Sequence, residues 1–370
     1  MQNVPPTKYY FPPEKIEWAL GKYKEILETG AFLTNGKYCK EFEEKYASYN
    51  GSKYAVSTSN GTSALEAMFT AIDVKGFDVI VPTNTFAATA FAVVKAGGRP
   101  IFADCTHDLT VDPEDVERRI TERTKAVVTV HIGGLVSPHT YDLTELCEKR
   151  GLQLIEDAAH AHGSELDKKK AGTFGVAGGF SFFSTKVMTT GEGGMMVTDN
   201  EEICEKARLL RDQSKAGGKE YHEMIGSNWR MTEFQALLGI VQLELLDKFI
   251  EERNRVARIF DKEFENVSKL KPLEIPKNVR PNFYKYVVFA PKGFDREALR
   301  QKLKKEYGVS LSGCVYELPC HLQPIFKEQK NGNFPVSEDL CTRHICPPIY
   351  ATMKDDEAVY VVDSIRRCLS

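Results

Sequence analysis

A single lysine, Lys186, stands in the stretch "FSFFSTKVMTTGEGGMMVTD" (180–199), among aromatics, hydroxyls and glycines. A free lysine has a pKa of about 10.4 and is a poor nucleophile at neutral pH. Burial lowers that value, and the neutral amine can then add to a carbonyl. Ser181, Ser184 and Thr185 bring hydroxyls able to hold a phosphate, and Gly191, Gly193 and Gly194 suit a tight turn beside a ligand.

Three other stretches carry matching chemistry. "SNGTS" (59–63) leads into a helical pattern, and backbone N–H groups at Gly61 and Thr62 could bind an anion there. The same residues also read as a plain N-cap made by Thr62 or Ser63. Phe86 follows the strand-like "DVIVPT"; it could cover a planar ring or simply pack in the core. Asp157, in "LQLIEDAAH", ends an apolar run. A carboxylate there is an ion-pair partner or the holder of a proton on a basic nitrogen. The two alanines after it leave room for something flat, and His160 follows as a core histidine or a site residue. An anion-binding helix start, a ring-covering aromatic, an acid and a sheltered lysine together describe a pyridoxal phosphate site.

The elements around these residues alternate. Residues 14–29 predict a helix with Ile16, Leu20, Tyr23 and Leu27 on one face. The runs "DVIVPT", "RPIFAD", "KAVVTVH" and "LQLIED" read as buried strands, separated by segments able to form helices. That pattern predicts an α/β fold with a mostly parallel central sheet flanked by helices. "GGFSFF" and "GGMMVTD" are too close for a helical crossover, so an antiparallel neighbour is expected there. A long helical stretch follows to about residue 267, then a proline-bearing hinge or connector over 268–282, then a smaller C-terminal α+β part with "FYKYVVFA" as a strand. The expected division is 1–245 for the large cofactor-binding domain and 246–370 for the small one.

The totals are those of a soluble protein. With 49 basic and 52 acidic residues the net charge is −3, which gives no reason to expect nucleic acid or an anionic membrane as partner. No apolar run reaches the roughly 18 residues that span a bilayer. The nine cysteines include no C-x-x-C, and neither Cys314/Cys320 nor Cys341/Cys346 has a common zinc spacing. Reduced thiols, no metal and a cytoplasmic location are expected.

The blocks "SNGTSAL", "VPTNTFAATAFAVVKAGGRPIFAD", "IEDAAHAHGS", "FSFFSTKVMTTGEGGMMVTD", "GSNWRMTEFQALLGIVQLELLD" and "LPCHLQPIF" follow in order along nearly the whole chain. In wording and order they resemble the DegT/DnrJ/EryC1/StrS family of pyridoxal phosphate-dependent sugar aminotransferases. The resemblance implies the aspartate aminotransferase-like fold, type I of the pyridoxal phosphate enzymes. It implies that Lys186 holds the cofactor as an imine and shuttles the proton, and that Asp157 pairs with the pyridine nitrogen. Phe86 would stack on the ring. Gly61, Thr62 and Ser181 would hold the phosphate. His160 stands where the family commonly has glutamine, near the ring hydroxyl. Asn228 resembles the asparagine that reaches into a neighbouring subunit's site, which implies a homodimer with shared active sites.

The implied reaction moves an amino group from an amino acid, expected to be L-glutamate, through pyridoxamine phosphate to a keto-sugar, usually nucleotide-linked. An aminotransferase acting on a cyclitol or small phosphorylated ketone, and a dehydratase or lyase using the same cofactor, stay open. Where the family has tyrosine or asparagine with G-x-P, this chain has Gly134-Leu135-Val136, which would alter the acceptor pocket. Arg211, Lys215, Lys219 and Arg230 could hold a diphosphate or be solvated charges, and His321 is a further pocket candidate.

Overall fold

The computed structural model describes residues 3–215, 221–222, 224–329 and 332–369. Its centre is a seven-stranded sheet. The strands are β1 (Tyr54–Thr58), β2 (Asp78–Pro82), β3 (Arg99–Ala103), β4 (Thr124–Val130), β5 (Gln153–Asp157), β6 (Ala177–Ser181) and β7 (Gly194–Thr198). They lie in the order β1-β7-β6-β5-β4-β2-β3. Every pairing is parallel except those of β7, which runs against β1 and β6. The close pair of glycine-rich strands is thus the antiparallel exception that its spacing predicts.

Around the sheet run α1 (Pro13–Thr29), α2 (Lys37–Asn50), α3 (Gly61–Ala71), α4 (Ala87–Lys95), α5 (Pro113–Arg119), α6 (Thr140–Arg150), α7 (Glu201–Arg211) and α8 (Glu233–Phe264). The strands are apolar throughout because both faces are covered. Alternate residues of β2 show it: Val79 and Val81 pack with α3 and α4, while Ile80 packs with Val116 of α5 and Leu143 of α6. A third cluster sets Phe42 and Tyr46 of α2 against Phe180 and Phe182.

Helix α8 starts with a capping box between Thr232 and Gln235. Its Glu233 carboxylate accepts from the N–H groups of Gly36, Tyr38 and Cys39, which ties down the start of α2. The same helix crosses the division expected at 245/246. Leu237 and Ile240 lie in the large core, and Val256, Phe260 and Phe264 lie in the C-terminal one. That smaller core also takes α9 (Arg296–Lys302) and α11 (Asp355–Leu369), while α10 (Pro335–Arg343) packs toward the sheet. A three-stranded sheet of Lys271–Pro272, Val288–Phe289 and His344–Ile345 completes the part.

Two expectations need correction. "FYKYVVFA" is a strand only at Val288–Phe289. The N–H of Tyr284 is taken by the Asn282 side chain and that of Lys285 by the Gly133 carbonyl, so this run pairs with a loop of the large part. The connector 268–282 is also stitched down, since Val279–Arg280 pairs with Glu165–Leu166. Helix α1 forms as expected, but its apolar stripe is uncovered: Ile16, Leu20, Tyr23 and Leu27 are 43%, 56%, 36% and 55% exposed. Among the described residues no helix is long and apolar enough to cross a membrane.

Candidate active site

In a parallel sheet the carboxyl ends of the strands share one edge, and loops leaving it converge. Here the ends of β1, β2, β5 and β6 and the start of β7 meet there. The cleft above them has a volume of about 790 Å³. Gly61, Thr62, Phe86, Asp157, His160, Ser181, Lys186 and Asn228 all line it.

Each side chain is placed by its own element. Asp157 ends β5 with its carboxylate buried. It accepts from the Thr89 hydroxyl at 2.7 Å and from the Ala159 N–H at 3.1 Å. Thr89, so committed, accepts in turn from Thr85 at 2.9 Å. Its neighbour Glu156 is also buried and gathers the N–H groups of Gly172, Phe174 and Gly175, fixing the loop that returns to β6.

Asn60 is the N-cap of α3, its side chain accepting from Ser63 N–H at 2.8 Å. The cap is therefore Asn60, not Thr62 or Ser63. The first N–H groups of a helix have no partner within it. With Ser63's taken, those of Gly61 and Thr62 remain for an anion. Close approach needs the glycine: a Cβ on Gly61 would meet the Cβ of Ser181 at 2.7 Å and its Cα at 3.2 Å.

Lys186 rides on a laced loop. The Phe182 N–H donates to the Gly193 carbonyl, the Thr190 N–H to that of Phe182, and the Ser184 hydroxyl to that of Gly191. Ser184 and Thr185 are thus occupied, Thr185 by the Tyr284 hydroxyl at 3.0 Å. The Lys186 amine lies 4.7 Å from the centre of the Tyr284 ring. Burial is the main force on it and lowers its pKa to about 7; Asp157 acts the other way and Lys285 adds to the lowering. Burial likewise keeps His160 far below the usual histidine range and takes His162 down to about 3, so both are neutral.

Tyr284, Tyr316, Trp229, Glu192 and Asn60 also line the cleft. Sequence patterning missed the two tyrosines. Tyr284 is placed by Asn282, whose amide donates to the carbonyls of His160 and His162, and only the tertiary fold brings these together.

Several candidates lie elsewhere. Leu135 and Val136 are buried in the core, and Gly134 is pressed against Asn282, so this segment does not line the cleft. His321 is also outside the lining, buried between Thr83 at 2.7 Å and Glu338 at 3.0 Å. Arg211 is tied to Glu43 and Ser57, and Arg230 to Asp212. Neither lines the cleft, nor does Lys215; Lys219 lies outside the described residues.

The model of the DegT/DnrJ/EryC1/StrS aminotransferase family matches residues 14–366. The chain belongs to this family. It is a pyridoxal phosphate-dependent aminotransferase of fold type I. It is 33% identical to GDP-perosamine synthase of Vibrio cholerae over 92% of this chain and 94% of that protein. It is 32% identical to dTDP-3-amino-3,4,6-trideoxy-alpha-D-glucose transaminase of Micromonospora megalomicea over 95% and 94%. Among solved structures, PseC of Helicobacter pylori, an aminotransferase involved in the biosynthesis of pseudoaminic acid, superposes with a TM-score of 0.91. It shares 27% identity and covers 99% of both chains. The donor set suits the family's cofactor: free N–H groups beside Ser181 for a phosphate, a fixed carboxylate for a ring nitrogen, and a neutral amine for an aldehyde.

Two outcomes are expected for this DegT-family chain. In the unliganded protein Lys186 should react with an amine-acylating reagent at half-maximal rate near pH 7, against about pH 10 for exposed lysines. Peptide mapping reads this, and a Lys186 profile like that of the exposed lysines would mean the amine is solvated. Gly61→Ala should weaken pyridoxal phosphate binding about tenfold or more in equilibrium dialysis. Unchanged affinity would place the phosphate elsewhere.

Proposed function

We propose that this aminotransferase moves an amino group from L-glutamate to a keto-sugar carried on a nucleotide, for amino-sugar and surface-polysaccharide synthesis. The observation that carries the transfer is the convergence of Lys186, Asp157 and the start of α3 on one cleft. The acceptor class rests on the named relatives, two of which are nucleotide-sugar enzymes by their printed descriptions. At about 790 Å³ the cleft is near the upper end for small-molecule sites, leaving room for an acceptor beside a cofactor.

The residues divide the work. When bound, pyridoxal phosphate supplies an electron sink and a carrier for the amino group. Gly61, Thr62 and Ser181 would hold its phosphate, and Phe86 would cover one face of its ring. Asp157, oriented by Thr89 and Ala159, holds a proton at the ring nitrogen. Lys186, about half deprotonated at pH 7, would hold the aldehyde carbon. With its amine free, Lys186 would take the proton from the donor's α-carbon and later return one to the acceptor's carbon. Tyr284, beside the amine, limits its swing and keeps water from it.

The chain works, on this reading, as a large cofactor-binding domain and a small C-terminal one bridged by α8, and as a homodimer. The uncovered α1 stripe, with Phe32 and Leu33 exposed beside it, is the face a second copy would cover. Asn228, at the cleft rim, would stand where the two sites adjoin. A cytoplasmic location is supported by nine cysteines that are all free.

Purified protein incubated with L-glutamate and a panel of nucleotide-linked keto-sugars, cyclitol ketones and phosphorylated small ketones should aminate a nucleotide-linked sugar. Lys186→Ala should reduce the rate by more than about a thousandfold. Amination of the other ketones alone would move the acceptor class, and deaminated product without amine transfer would mean a lyase. Sedimentation of the wild type should give a dimer, and Leu20→Glu should shift it toward monomer; a monomeric wild type at micromolar concentration sinks the dimer.

A further inference from the structure

Two tyrosines enter the cleft from the C-terminal part, and their hydroxyls are used differently. Tyr284 is bonded to Thr185 at 3.0 Å. Tyr316 is 2.9 Å from His160 Nε2. His160 Nδ1 accepts the Gly133 N–H at 3.3 Å. A neutral imidazole carries one proton, and a nitrogen that accepts cannot be the one that holds it. The proton is therefore on Nε2, which donates to the Tyr316 oxygen. That leaves the phenol's own proton, and no other protein acceptor lies within bonding distance of it among the described residues.

The phenol is also rigidly placed. The Tyr316 N–H donates to Asn84 Oδ1 at 3.2 Å, and the Val315 N–H to His344 Nε2 at 2.9 Å. The Tyr316 ring lies 5.6 Å from that of Phe86. Both of His160's nitrogens are thus committed within the protein, while a pre-set O–H donor from Tyr316 lines the cleft. In pyridoxal phosphate the ring hydroxyl sits next to the aldehyde carbon and on the edge opposite the phosphate. A group that serves it must stand between the partners of the aldehyde and of the ring nitrogen. His160 follows Asp157 closely in the chain, and its ring lies 4.4 Å from that of Tyr284, which the Lys186 amine approaches to 4.7 Å, so the pair stands beside both residues.

We propose that Tyr316, rather than His160, donates to the ring hydroxyl of the bound cofactor, and that His160 is a positioning residue that holds the phenol by its Nε2–H. This rests on the reading of the cleft as the pyridoxal phosphate site. The ionisable groups acting on the pair are Asp157, Lys186, Lys285, His162, Tyr284 and Cys320. A donor to the ring oxygen favours its ionised form, so losing the donor makes the bound cofactor hold its proton more tightly.

The test titrates the absorbance of the bound cofactor against pH and measures its dissociation constant. Tyr316→Phe should raise the midpoint of the colour change by about one pH unit and weaken binding by about tenfold. His160→Gln, which keeps an N–H for the phenol, should move the midpoint less than His160→Leu. The double variant His160→Leu/Tyr316→Phe should match Tyr316→Phe alone, because the two act through one contact. A midpoint that ignores Tyr316→Phe but moves with His160→Leu, or fully additive effects, would overturn the proposal. Wild-type chain that takes up no pyridoxal phosphate would overturn the site reading and this proposal with it. Unaltered uptake with an unmoved Tyr316→Phe midpoint would remove the proposal alone. Melting curves of each variant confirm that folded protein is compared.

Discussion

One amine is kept from water, and much of the chain is arranged around that constraint. A buried ammonium is costly unless paired or deprotonated. Lys186 meets the condition by deprotonation, with its pKa lowered to about 7. Asp157 could have cancelled the effect by pairing with it. Its carboxylate is instead occupied by Thr89 and Ala159, so it acts through its field and not as the amine's hydrogen-bond partner. The same lack of water that frees the amine makes His160 and His162 neutral, and a neutral His160 can accept at one nitrogen and donate at the other.

Holding these groups without solvent needs rigid surroundings, and the sheet edge provides them. β5 and β6 carry Asp157 and Ser181 in parallel register, so their spacing is set by the strand ladder. β7 returns through glycines because no side chain fits: a Cβ on Gly194 would run into the backbone of Asn60. That contact brings the start of α3 against the lysine loop. The start of α3 and the lysine loop are therefore coupled by backbone packing.

How much of this can be read in the sequence depends on how local each feature is. Lys186, Asp157, Gly61 and Ser181 sit at the ends of apolar runs, and a strand's end predicts its edge of the sheet. Their convergence was legible for that reason. Leu135 and Val136 depart from the expected pocket because a loop beside a site can turn its apolar side chains inward, and these two join the core. His321 failed likewise, since Thr83 and Glu338 already take both nitrogens. Tyr284 and Tyr316 carry no local mark. Tyr284 is held by its neighbour Asn282, whose amide reaches the carbonyls of His160 and His162, and Tyr316 by Asn84, contacts that join distant parts of the chain only once it folds. Periodicity marks the α1 stripe, but it says only that a face is apolar, not what covers it.

The C-terminal part is joined to the large one by buried polar contacts as well as by α8. Asp104 accepts from the Val336 N–H and twice from Ser337, Asn282 donates to the His160 carbonyl, and the Tyr316 N–H donates to Asn84. Buried hydrogen bonds of this kind are poor hinges, because opening them leaves unpaired groups that cost about 1–3 kcal/mol each. The wall that carries Tyr284 and Tyr316 is therefore tied to the large part by bonds that are costly to open. Discrimination between acceptors then falls to the rim, where Phe183 is exposed and Asn228, Trp229 and Glu192 gather. None of these residues hydrogen-bonds the amine, so the shape of the rim can be set separately from the chemistry at Lys186.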